Sequence, residues 1–157
     1  DATVSTAKIV DGAVTSAKLS AGKILQVSNM AVITSAQNIS SSTYVDLTGF
    51  SINITPSSTS NKIFMCANIS SLIGATGRGY GLKFLRDSTV VYDSNALYVH
   101  YPQSAGFRSM TTWNFIDSPS STSEITYKIQ VGTQSAAEVS FQEGSIKSTF
   151  YLMEIAG

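Results

Sequence analysis

The first 24 residues carry a repeat that one chain cannot fold on by itself. Ser5 to Val14 aligns without gaps on Thr15 to Ile24, keeping the hydroxyl, the Ala-Lys pair, the aliphatic residue, the glycine and the closing aliphatic in place. Within it Val4, Ile9, Val14, Leu19 and Ile24 recur every five residues, a spacing that matches neither a helical stripe nor strand alternation. That period argues against a regular heptad coiled coil. Gly12 and Gly22 permit positive φ, so each unit reads as a short turn followed by an extended step. One aliphatic residue in five cannot form a core along one thin chain. Three parallel chains about a common axis would stack these residues in successive layers and leave Lys8, Lys18 and Lys23 outside. The competing reading is a flexible Ala/Ser/Gly linker, against which the regular aliphatic positions speak. The chain therefore divides into a stalk over residues 1–24 and a folded head over residues 25–157.

The head is expected to be all-β. Roughly a quarter of the chain is Ser or Thr, and hydroxyl side chains favour strands and turns over helices. Phe50, Ile52 and Ile54 alternate with Ser51, Asn53 and Thr55, the mark of a strand with one buried face. The next run places Ile63, Met65, Ala67 and Ile69 on one side and Phe64, Cys66 and Asn68 on the other, as in a central strand or one at a subunit interface. Further strands are expected over Tyr80 to Arg86, Phe107 to Ile116, Ile125 to Val131 and Thr149 to Ile155. Weaker candidates lie near Leu25 to Ile33, Tyr44 to Leu47, Thr89 to Tyr92 and Val139 to Phe141. The sequence Pro-Ser-Ser-Thr-Ser occurs at Pro56 to Ser60 and again at Pro119 to Ser123, as if two equivalent turns lay on one edge. Short strands, frequent turns and no helical stripe predict an antiparallel jelly-roll-like β-sandwich.

Ten Lys and Arg balance ten Asp and Glu, which gives no electrostatic case for nucleic acid. No apolar run approaches the about 18 residues of a membrane span, so membrane insertion is not expected. Cys66, the only cysteine, excludes an intrachain disulfide and reads as a packing residue. His100, the only histidine, has no triad-like motif around it, and the acidic residues are scattered without the pairing that glycan hydrolysis needs. Gly74 to Tyr80 lacks the Lys-Ser/Thr ending of a phosphate loop and reads as a hairpin loop. The expectation is a chain with no catalytic residues, no metal and no cofactor.

Several segments resemble one family. The decapeptide units, Lys23 to Val27, Ser42 to Ser58, Phe84 to Thr89, Thr126 to Gln130 and the closing Tyr151 to Ile155 are similar to tail fibre and related structural proteins of tailed bacteriophages, above all cyanophage-like fibres. The resemblance implies a homotrimeric virion fibre, assembled in the host cytoplasm, whose distal domain touches a host-surface glycan or protein. Collar or capsid fibres belong to the same group, and some phage tail proteins are depolymerases. The chain does not begin with Met, as expected of part of a longer fibre joined to other tail proteins through upstream residues. Receptor contact needs exposed aromatic and amide side chains, and Tyr92 to Gln103 fits best. Tyr92, Asn95, Tyr98, His100 and Tyr101 are its candidates, with Arg78 and Tyr80 from a neighbouring loop. The competing role for Tyr98 and Tyr101 is packing between subunits.

Overall fold

The structure is a computed structural model that describes residues 22–28 and 30–157. Val4, Ile9, Val14 and Leu19 of the stalk lie outside the described residues. The strands are β1 (Ile24–Val27), β2 (Ala31–Ile33), β3 (Gln37–Ile39), β4 (Val45–Ile54), β5 (Lys62–Ile73), β6 (Tyr80–Arg86), β7 (Thr89–Asp93), β8 (Phe107–Asp117), β9 (Ile125–Thr133), β10 (Val139–Phe141) and β11 (Ser148–Ile155). Among the described residues the only helical pieces are two short 3-10 turns, at Gln134–Ala136 and Glu143–Ser145.

The strands pair as nested hairpins. Around the β6–β7 hairpin, β5 pairs with β8, β4 with β9, and β1, β2 and β3 with β11 and β10, all antiparallel. One sheet runs β8, β5, then β11 and β10 end to end, then β1 to β3. The other runs β4, β9, β6, β7. This winding of nested strand pairs into two sheets is the jelly roll. It also explains the duplicated Pro-Ser-Ser-Thr-Ser. One copy links β4 to β5 and the other links β8 to β9, and both cross between the sheets at the end where Ile54 faces Ile125 and Ile63 faces Asp117. Gly74 to Tyr80 likewise crosses from β5 to β6 in the other sheet, so it is not a hairpin.

Between the sheets lie Ile63, Met65, Ala67, Ile69 and Ile73 of β5 against Leu82, Phe84, Ile129 and Val131 of the second sheet. Phe150 packs at 6.3 Å from Phe50 and 6.4 Å from Phe84, ring centre to ring centre. The β7–β8 side is closed by Tyr92 against Phe84, Trp113 and Phe115. The expected strands Tyr44 to Leu47 and Phe50 to Ile54 merge into one, β4, which starts at Val45 and has a register break after Asp46. The break turns Leu47 and Phe50, three residues apart, to the same core, and Gly49 sits in it at φ +86° beneath Ile33, a β-bulge arrangement. The weak candidate Leu25 to Ile33 is two strands, both paired to β11. Ile24 already pairs with Ile155, and the Gly22 N–H donates to the Ala156 carbonyl at 2.8 Å, so sheet pairing starts two residues ahead of the boundary drawn after Ile24.

Glu154 is the acidic group on which this end of the sandwich turns. It is only 1% exposed. It accepts from the Ser57 N–H at 2.6 Å, the Ser57 hydroxyl at 2.9 Å, Asn61 Nδ2 at 2.6 Å and Gln26 Nε2 at 2.6 Å. Burial alone would raise its pKa, but these donors outweigh burial and hold it below the usual carboxylate range. Glu154→Ala would strand several buried donors, and a loss of about 3 kcal/mol is expected in chemical denaturation. A depressed folded-state pKa contributes stability that is present above the unfolded pKa and lost as pH falls through the folded one. The denaturation midpoint of the native chain should therefore drop below about pH 4.5, and Glu154→Gln should flatten that part of the profile.

Candidate functional site

The segment after β7 is held against the second sheet because three glycines leave room for it. Gly81 and Gly132 are cross-strand partners on β6 and β9. A Cβ on Gly81 would strike the Ala96 carbonyl and Ser94 Oγ, one on Gly132 would meet Leu97 Cδ2 at 2.7 Å, and one on Gly79 would strike the His100 carbonyl. Glycine inside a strand marks such a close backbone approach. Residues 95–99 lie over this floor between two anchors. Ser94 exchanges bonds with Leu82, its N–H donating to the Leu82 carbonyl at 3.0 Å and its Oγ accepting from the Leu82 N–H at 3.1 Å, and His100 bridges to Tyr80 through paired backbone bonds of 3.3 Å. Asn95 turns the chain at φ +56°, with its N–H on Asp93 Oδ1 at 2.8 Å.

Beside this segment is an open groove of about 430 Å³, lined by Tyr44, Asp93, Asn95, Ala96, Leu97, Tyr98 and Gln134. Lys83 sits 4.3 Å above the Tyr44 ring and bonds Asp93 at 3.0 Å. Burial would raise the Asp93 pKa, yet the Asn95 N–H and the Lys83 ammonium keep it below the usual range, so the groove carries a carboxylate at neutral pH. The far wall is the turn Gln134–Ala136, where Ser135 and Ala136 both take positive φ, 54° and 53°. Positive φ at two consecutive residues other than glycine is a local strain of the kind that clusters at functional sites. The buried Oε1 of Gln134 has no hydrogen-bond partner among the described residues. Two tyrosine rings, two amides and a carboxylate offer stacking surface and directional acceptors and donors to a polar, ring-shaped ligand.

The sequence candidates separate in space. Tyr98 and Asn95 line the groove; Tyr101 is exposed and meets Tyr98 edge to face at 6.2 Å. Arg78 is half-buried, with no hydrogen bond or ion pair to the described residues. Tyr80 is fully buried, its hydroxyl on Thr111 Oγ1 at 2.7 Å and its ring edge-on to Phe141 at 5.2 Å, so it belongs to the core and not to a contact surface. Tyr92 is the packing residue of the β7–β8 side described above. His100 is tied to Ser109 Oγ at 2.7 Å and wedged between Tyr80 and Phe107, and burial lowers its pKa. Tyr44 and Gln134 were not foreseen. Only the two in-strand glycines, which announce that backbone crosses there, hint at the groove from sequence.

A second cleft of about 260 Å³ lies between β5, β8 and the turn at Glu143–Ser145, lined by Ser70, Ser71, Leu72, Arg108, Ser109, Met110, Glu143 and Ile146. Arg108 and Glu143 pair across it, which uses up its charged groups.

The fold is shared with solved virus structures. The chain superimposes on the crystal structure of the infectious bursal disease virus VP2 subviral particle with a TM-score of 0.52 and 15% identity, over 83% of this chain and 32% of that one. Against the T13 viral particle of the same virus the TM-score is 0.53 and identity 16%, over 84% and 31%. The chain thus spans about a third of the length of these neighbours, and at such identity the likeness is one of fold. No protein-family model and no curated protein matches the sequence.

The glycine floor can be tested directly. Gly81→Ala should lift residues 95–99 and cost about 1–3 kcal/mol in chemical denaturation. Tyr98→Ala, on the exposed side of the same segment, should stay within about 0.5 kcal/mol of the native chain.

Proposed function

We propose that the chain is a structural component of a virus particle, the distal part of a homotrimeric phage tail fibre, and that it attaches the particle to a host-surface glycan or protein. The observation that carries the attachment role is the groove. It joins Tyr44, Tyr98, Asp93, Asn95 and Gln134 beside strained backbone on a rigid jelly roll. A rigid sheet that presents aromatic and amide groups on loops is a low-entropy way to bind hydroxyl-rich surfaces. The fold shared with VP2 of a viral particle supports the virion assignment, and the decapeptide repeat with its resemblance to phage fibres supports the fibre. No catalytic role is assigned. A purely structural role, as a capping or virion-attachment domain of a collar or capsid fibre, is favoured only by the apolar sheet face described below.

The test is binding of the purified chain to intact cells from a panel of cyanobacteria and other aquatic bacteria. Saturable binding to at least one strain is expected. Tyr98→Ala combined with Asn95→Ala should weaken it about tenfold or more, equivalent to about 1.4 kcal/mol, with the folded circular dichroism spectrum retained. Undiminished binding by this double variant would remove the groove from the attachment role. Release of reducing sugar from the cell envelope would point to the depolymerase alternative.

A further inference from the structure

The outer faces of the two sheets differ in chemistry along one row of each. On the outer face of the second sheet one row crosses all four strands as Asp46, Gln130, Lys83, Asp93. Asp46 accepts from Lys128 at 2.9 Å and Gln130 at 2.7 Å, and Lys83 pairs with Asp93. This face is made for water. On the first sheet the corresponding row is Val27, Met153, Phe64, Ile116, one residue from each of β1, β11, β5 and β8. Ile24 and Ile155 pair next to it on one side, and Tyr151 beside Cys66 on the other, and these flanking rows continue to Lys62 and Asn114, which bound the stripe. Val27 is 56% exposed, Ile24 55% and Ile116 50%. The row is about 14 Å wide at about 4.8 Å per strand gap, which is a continuous apolar stripe and not a scatter of single residues. Phe150 faces the core, and its neighbour Tyr151 is the outward one.

We propose that this stripe is the surface through which copies of this chain pack against one another in the trimer. The stripe rests on the multimeric reading above and says which face makes the contact. Its occupant follows from where the repeat ends. Ile24, the last of the five evenly spaced aliphatic residues, is itself part of the stripe, and the chain enters β1 at that end of the sheet. An axis that gathers the aliphatic residues of three stalks therefore leads onto the apolar faces of three heads, and the contact begun by the repeat continues without a break. Three copies turned about that axis close a ring, with Met, Phe and Tyr of the kind enriched in interface cores. The groove at Tyr98 and the row Asp46–Asp93 belong to the opposite sheet, which stays on the outside of such a ring.

The experiment is native mass spectrometry of the full chain, of Val27→Glu combined with Ile116→Glu, and of Asn53→Glu combined with Thr126→Glu on the wet face. All four positions are solvent-accessible in the isolated head, and circular dichroism melting confirms that each variant folds. The expected result is three chain masses for the native chain and the wet-face variant, and one chain mass for the apolar-face variant. A trimer that survives the apolar-face substitutions overturns the assignment of this face while leaving the multimeric fibre intact. A monomeric native chain overturns both, and resistance of Met153 to peroxide oxidation in that monomer would place residues 1–21 of the same chain over the stripe.

Discussion

The structure depends on β5 being paired along both edges and covered on its inner face. Its residues 63–73 pair with the whole of β8 on one edge. On the other edge they pair with β11 and then β10. Every backbone donor and acceptor of a buried strand must find a partner, and here the partners come from segments far away in sequence. Because β5 precedes the β6–β7 hairpin while β8, β10 and β11 follow it, satisfying β5 obliges the chain to wind around that hairpin. The jelly roll is the result of that winding. Its core is the single layer of Ile63, Met65, Ala67, Ile69 and Ile73 facing the phenylalanines and aliphatics of the second sheet.

The same strand carries the centre of the apolar stripe. Alternation sends Phe64 away from the core, and its neighbours along the row, Met153, Val27 and Ile116, are apolar as well. The second sheet alternates instead with Lys, Asp, Gln and Thr, which pair among themselves. Loops that return over the second sheet are seated there by missing side chains at Gly79, Gly81 and Gly132. The proposed contact between copies and the groove therefore lie on opposite sheets.

Much of this is legible in the sequence, because both sheets follow the period of two. The strands over Tyr80 to Arg86, Phe107 to Ile116, Ile125 to Val131 and Thr149 to Ile155 stand within two residues of their expected places. The jelly-roll class and the equivalence of the two Pro-Ser-Ser-Thr-Ser turns follow from the same pattern. What it could not show is set by tertiary pairing. β3 is three residues, Gln-Asn-Ile, with no alternation of its own, and exists because β10 pairs with it. The bulge at Gly49 reverses the faces of β4, so a strict alternation from Phe50 back to Tyr44 fails. Among the candidate residues, Tyr80 was exchangeable between loop and strand until its alternation with Leu82 and Phe84 is given priority, which puts it inside. Tyr44 and Gln134 reach the groove from other parts of the chain, and no local pattern announces that meeting.

The repeat and the head have to be consistent with each other for a fibre to form. Ile24 belongs to both, as the last aliphatic of the repeat and the first residue of β1. The most direct measurement is small-angle X-ray scattering of the full chain in solution, which reads mass and shape together. A trimer joined through the dry face and led by a three-chain stalk predicts forward scattering for three chains, with a distance distribution of a compact head and a thin extension. Forward scattering for one chain, at any shape, would contradict it.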